Sequence, residues 1–139
     1  MAGFRAGAWP SVQRSYAGGV SLDWRSGALA EGLRCYRNAE YFAAHEHWES
    51  VWLRLKEPEK SFLQALIQVT AAFHHYKKGN VVGAASLLRR ALRRLDMCPA
   101  EYGGLCTPPL CGEVRAWVRA LEDGGAVPGS VVEIDFSER

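Results

Sequence analysis

Apolar residues recur at helical spacing through the middle of the chain, and no segment alternates as a half-buried strand would. Leu29, Leu33 and Tyr36 make one stripe that opens after a capping residue at Ser26. A second helix is expected from Glu40 to about Leu55. Pro58 suits the first turn of a third helix, where its missing N–H costs nothing, and Gly79 suits that helix's end. Asn80 then caps a fourth helix reaching about Leu95. The stretch from Asp96 to Gly112 is crowded with Pro, Gly and Cys and reads as a loop. Beyond it, Val114, Trp117, Val118 and Leu121 outline a short amphipathic helix that Gly124 ends.

Short connections favour antiparallel neighbours, so the expected fold is all-α: a compact bundle of about five helices with antiparallel helical hairpins, the second to fourth at its center. The stretch AASLLRRAL has the small-small-bulky pattern of helical repeats, but it has no second copy at a fixed period, which excludes an extended solenoid. A length of 139 residues allows one core rather than two. With 48% hydrophobic and 23% charged residues and no apolar run near the length a membrane helix needs, the expectation is a soluble domain with no membrane partner. The division expected is a flexible tail over residues 1–21, one helical domain over 22–123, and a C-terminal strap or tail over 124–139. Arg5 and Arg14, with no acid nearby, are a faint trait of a targeting segment, but the Gly and Ser around them and the absence of an apolar h-region point to a tail and a cytoplasmic protein. The four cysteines, Cys35, Cys98, Cys106 and Cys111, lack the two-residue spacing of a zinc knuckle or redox dithiol and are read as thiols.

The polar residues inside the apolar pattern carry the functional lead. In YFAAHEHWESVW (Tyr41 to Trp52), Tyr41, His45, Trp48 and Trp52 share one helix face with Glu49 at its edge. On the third helix Gln64, Gln68, Ala71 and His75 fall on one stripe. Two facing helices would bring these stripes together. Burying the groups unpaired costs about 1–3 kcal/mol each, so His45, Glu49, Gln64, Gln68 and His75 are expected to form one hydrogen-bonded cluster or to line a site open to water or ligand. Three uses stay open: a closed network that fixes helix register, a pocket for a small polar ligand that also touches Glu46, and a divalent metal held by His45, Glu49 and His75 with Glu46 as a fourth partner. His47 and His74 point away from this set and are read as surface or rim residues. Ser50, Ser61 and Cys35 stand in no elbow or triad pattern, and no Gly-rich phosphate loop occurs.

Phe42, the run Ala44-His45-Glu46, Glu49, Trp52, FLQALIQ (Phe62 to Gln68), His75, Gly79-Asn80 and LLRRAL (Leu87 to Leu92) together resemble the small helical family catalogued as domain of unknown function 309. The resemblance covers roughly residues 29–95 and implies an all-helical bundle found in bacteria, archaea and plastids, with no established activity. Two positions depart from the family's pattern: Ala65 stands where it often has glycine, implying slightly wider helix spacing, and Ala43 where it often has an acid.

Charge adds one more feature. From Ser61 to Leu95 there is no Asp or Glu, while Arg89, Arg90, Arg93 and Arg94 cover one face of the fourth helix, so an anionic partner could bind there. No aromatics interleave with them, which argues against base stacking. The functional expectation is a ligand-binding or interaction module built on the His45 cluster. The alternatives are a small metal-assisted or general-base hydrolase using His45 or His75 as base with Glu49 as orienting carboxylate or metal ligand, and an anion-binding adaptor acting through the arginines. Cofactor, partner and oligomeric state, a homo-oligomer included, are not specified by these patterns.

Overall fold

The computed structural model describes residues 22–102 and 105–134. The expected N-terminal tail over residues 1–21 lies outside the described residues. Five helices follow in order: α1 Gly27–Arg37, α2 Tyr41–Trp52, α3 Glu59–Lys77, α4 Val81–Leu95 and α5 Thr107–Asp123. Each packs on its neighbour in sequence, as the short connections require, and the fold is the expected all-α bundle.

α3 is the central element. Phe62, Leu63, Ala65, Leu66, Val69, Thr70, Ala72 and Phe73 are all buried around its circumference, so it is covered by neighbours on most sides. Ala65 is fully buried in that core. α4 is instead one-sided: Ala84, Ala85, Leu88, Ala91 and Leu95 face the core, and Asn80 caps its start by accepting the Gly83 N–H at 2.9 Å. Ser26 precedes α1 as expected, but its hydroxyl donates to Asp23 (2.8 Å) rather than capping the helix.

α1 and α2 are fixed by one tryptophan. Trp48 is fully buried, its indole N–H donates to the Leu29 carbonyl at 3.1 Å, and its ring lies where a side chain on Gly32 would be: a Cβ added there would sit 2.2 Å from Nε1. Trp24 packs edge-on against the same ring (5.6 Å between centroids), and Tyr36 stacks at 6.4 Å.

The stretch read as a loop up to Gly112 differs. Glu101–Tyr102 and Leu105–Cys106 form a two-residue antiparallel pairing, and α5 begins at Thr107, longer than the short helix expected. The reason is positional. Pro108 and Pro109 fall in the first turn, where backbone N–H groups have no helical partner to lose, and Thr107 is tied back to Pro99 (side chain, 2.7 Å) and Ala100 (backbone, 2.9 Å). Gly124, at φ +73°, ends α5 as its position suggests.

After α5 the chain returns as a strap across α1 and α5. Trp117 donates to the Ser130 carbonyl (3.1 Å), Arg37 to that of Ile134 (3.1 Å), and the Glu133 N–H to the Glu113 carboxylate (2.8 Å). Val132 and Ile134 are buried beneath it. Tyr36 donates to the Val132 carbonyl, and burial raises its phenol well above the ordinary range, so it stays protonated as the donor. No helix among the described residues is long and apolar enough to cross a membrane.

The Trp48–Gly32 contact yields a paired prediction. Gly32→Ala should destabilise by about 1–3 kcal/mol in denaturant melts, through overpacking against an indole that cannot retreat. Gly112→Ala, in a helix with open space where the methyl would go, should instead stabilise by up to about 1 kcal/mol.

Candidate functional site: the seam between α2 and α3

The buried line of α2 runs through Tyr41, Ala44 and Trp48. His45 follows Ala44 by a hundred degrees of helix rotation and therefore sits at the edge of that line, half-buried, while Glu46 and Glu49 turn outward to water. Facing this edge is α3. There Gln68 is only 8% exposed, and Gln64 and His75 are half-buried.

No direct hydrogen bond joins the residues of the expected cluster to one another. His45 Nδ1 and Gln68 Oε1 are enclosed atoms with no hydrogen-bond partner, as is Trp52 Nε1, two turns from His45 on the same helix. His75 turns to the end of its own helix, where its Nδ1 meets Asn80 Nδ2 at 3.2 Å. Asn80 can serve both neighbours because its oxygen caps Gly83 and its nitrogen is left for the imidazole. Glu49 is exposed and makes no side-chain bond to His45, because the rotation that buries Trp48 carries the next residue outward. The seam thus holds unpaired polar atoms rather than a closed network, and each is a group that costs about 1–3 kcal/mol when left without a partner.

Two residues that the sequence reading left outside the cluster complete the site. Phe42, 58% exposed, stacks on the His45 ring (6.5 Å between centroids, planes 9° apart) and packs against His74 at 5.7 Å. His74 in turn meets His75 edge-on at 5.9 Å. An exposed phenylalanine 32 residues before a lysine-flanked His-His pair is no signal by itself, because its contact with His74 is made across two helices. Desolvation holds His74 below the ordinary histidine value, with the positive charge of Lys78 and the neighbouring His75, His45 and Lys77 acting in the same direction. The mouth of the seam is therefore an aromatic platform bordered by three imidazoles and two lysines.

The metal set expected from sequence, His45, Glu49 and His75, does not converge. Among the described residues the His, Cys and carboxylate groups that bring three ligand atoms within 4.8 Å of one another are Glu31, Cys35 and His47, on the opposite flank of α2. His47 is thus more than the rim residue its spacing suggested.

The arginine face is also partly committed. Arg89 forms a two-pronged pair with Glu122 of α5, through Nε and through Nη2 at 2.6 Å, and Arg94 reaches Ser61 at 3.5 Å. Arg90 and Arg93 remain exposed. A groove of about 290 Å³ between α4 and α5 gathers Arg89, Arg93, Arg115 and Arg119 but also Asp96, Glu122 and Asp123, so most of its positive charge is balanced. The acid-free run is real in sequence. The balancing acids come from the next helix, Glu122 and Asp123, and from Asp96 just past the end of the run.

Two outcomes follow from the seam. Replacing Gln68 by Met, which keeps the shape and removes the unpartnered oxygen, should leave stability unchanged or raise it by about 1 kcal/mol in denaturant melts, whereas loss of a bonded glutamine would lower it. His74 should titrate by NMR below the ordinary value of about 6.5, and Lys78→Met should move it upward. Because its folded value is depressed, the neutral ring's contribution to stability is present above the unfolded value and is lost as pH falls through the folded one.

Comparison with known proteins finds a family that these helices resemble. Residues 29–87 match the family model described as "Domain of unknown function (DUF309)", a span that ends at Leu87, the first residue of the LLRRAL segment. The chain is also 31% identical, over 94 residues and 67% of its length, to a protein of Aquifex aeolicus (strain VF5) described as "Uncharacterized protein". It spans 27% of that relative's length, which is therefore a much longer protein. The matched span holds most of α1, all of α2 and α3 and the start of α4, with both flanks of α2 inside it, and over these residues the chain resembles the DUF309 family.

Proposed function

We propose that the domain is a binding module whose ligand is a small polar molecule with a flat face, held in the seam between α2 and α3. The observation that carries this reading is the pair of enclosed, unpartnered groups on facing helices, His45 Nδ1 and Gln68 Oε1. A protein that needed these residues only for packing would gain by pairing them or by making them apolar. A ligand offering a hydrogen-bond donor to Gln68 and a complementary group to His45 would satisfy both. Phe42, exposed and already stacked on His45, offers the ligand an apolar surface at the mouth. Lys77 and Lys78 nearby favour a ligand with partial or full negative charge.

The hydrolytic alternative is weaker on the same geometry. His45 has no carboxylate orienting its ring, and Glu49 faces water. A cytoplasmic setting accompanies the binding role, supported by Cys35, Cys98 and Cys111 being buried free thiols.

The test is a thermal-shift screen of small carboxylates, amides, heteroaromatic amides and phosphates against the wild type, His45→Ala, Gln68→Met and Phe42→Ala. At least one heteroaromatic amide or carboxylate should raise the wild-type midpoint and lose that effect in both His45→Ala and Gln68→Met. A shift of equal size in all four proteins would locate binding elsewhere and overturn the assignment of the seam.

A further inference from the structure

On the other flank of α2 the fold assembles a second constellation, independent of the seam. Glu31 and Cys35 are four residues apart on α1, so their side chains lie one above the other on a single face. His47 reaches them from α2. The three ligand atoms lie within 4.8 Å of one another, close enough to share one ion after small side-chain rotations. We propose that Glu31, Cys35 and His47 form a binding site for a single divalent transition metal of the zinc class, with a fourth position open to water or to an exogenous ligand.

The chemistry of the donor set supports one class of ion. A thiolate, an imidazole and a carboxylate together suit zinc or cobalt(II), and exclude calcium or magnesium, which prefer oxygen ligands throughout. The depth of the three groups is graded. Cys35 is buried at the floor, His47 is half-buried, and Glu31 is exposed at the mouth, so an ion can enter from solvent and still leave one position facing it. The His47 ring makes no other hydrogen bond, and the Ser50 contact to this residue falls on its backbone carbonyl.

Two further features look built for the purpose. Arg34 donates twice to Glu31, from Nε at 3.2 Å and Nη2 at 2.5 Å, and both bonds fall on Oε1. Oε2 is left free of them, so the guanidinium can orient the carboxylate without displacing an ion, as outer partners of metal ligands do. The frame is also stiff: Trp48, next to His47, is locked against Gly32, next to Glu31, and by its bond to Leu29. Metal uptake at Cys35 would form a metal–sulfur bond and release the thiol proton to solvent.

The experiment is a cobalt(II) titration of the reduced full chain carrying no histidine tag, followed by zinc(II) competition. The expected result is one equivalent of cobalt producing a thiolate-to-cobalt charge-transfer band, with proton release, that zinc then bleaches. Cys35→Ser should abolish the band. Cys98 and Cys111, both pushed up to about 12 chiefly by burial, stay in place as internal controls. Because Cys35 is buried and its replacement could disturb folding, Glu31→Gln and His47→Gln serve as second variants. With unchanged circular dichroism, each should weaken cobalt binding at least about 10-fold, and Arg34→Gln about 10-fold. No band in the wild type at stoichiometric cobalt would overturn the proposal. So would a band that persists in Cys35→Ser, or unchanged affinity in both Glu31→Gln and His47→Gln.

Discussion

The insertion of the Trp48 indole at Gly32 is the contact on which the rest of the structure depends. It closes α1 onto α2 at van der Waals range, satisfies the one polar atom of a fully buried ring through Leu29, and sets the rotation of α2. Tyr36, stacked on the same ring, extends that order to the C-terminal strap through its bond to Val132. A larger residue at 32 would separate the helices, and a smaller one at 48 would leave a ring-sized void in a close-packed interior.

Once Trp48 fixes that rotation, the neighbouring polar residues of α2 have no choice of direction. His47 is sent toward α1, where it meets Glu31 and Cys35, and His45 toward α3 and the field of His74, with Phe42 of its own helix stacked on its ring. One helix therefore carries two chemically different flanks. One offers hard and soft ligands at metal-sharing distance. The other offers hydrogen-bonding groups that the protein itself leaves unmatched. This explains the density of His and Glu in so aromatic a segment: the aromatics secure the helix, and the polar residues occupy the margins of the buried face.

The helices were legible because their signals are local. The 3.6-residue spacing of Leu29, Leu33 and Tyr36, the cap at Asn80 and the stops at Gly79 and Gly124 need no knowledge of distant residues. Thr107 to Pro109 misled because the same prolines that break a helix interior are tolerated in a first turn, and the residues anchoring that turn, Pro99 and Ala100, precede it by a hairpin-like pairing. In the site, Gln68, His45 and the role of α3 could be read from stripes on single helices. The partnership of Glu31 and Cys35 with His47 could not, because it depends on the rotation of one helix against another. The same holds for Arg89, whose partner Glu122 lies outside the acid-free run that made the arginines look free.

In the proposed function His45 and Gln68 are held apart for a ligand rather than paired for stability. The most direct measurement is a double-mutant cycle on the purified, ligand-free domain, comparing His45→Ala, Gln68→Met and the combined variant in urea melts. With no bond between the two groups, the effects should add to within about 0.5 kcal/mol. A coupling energy of about 1 kcal/mol or more would mean that the two side chains support each other in the folded state, and would contradict the account.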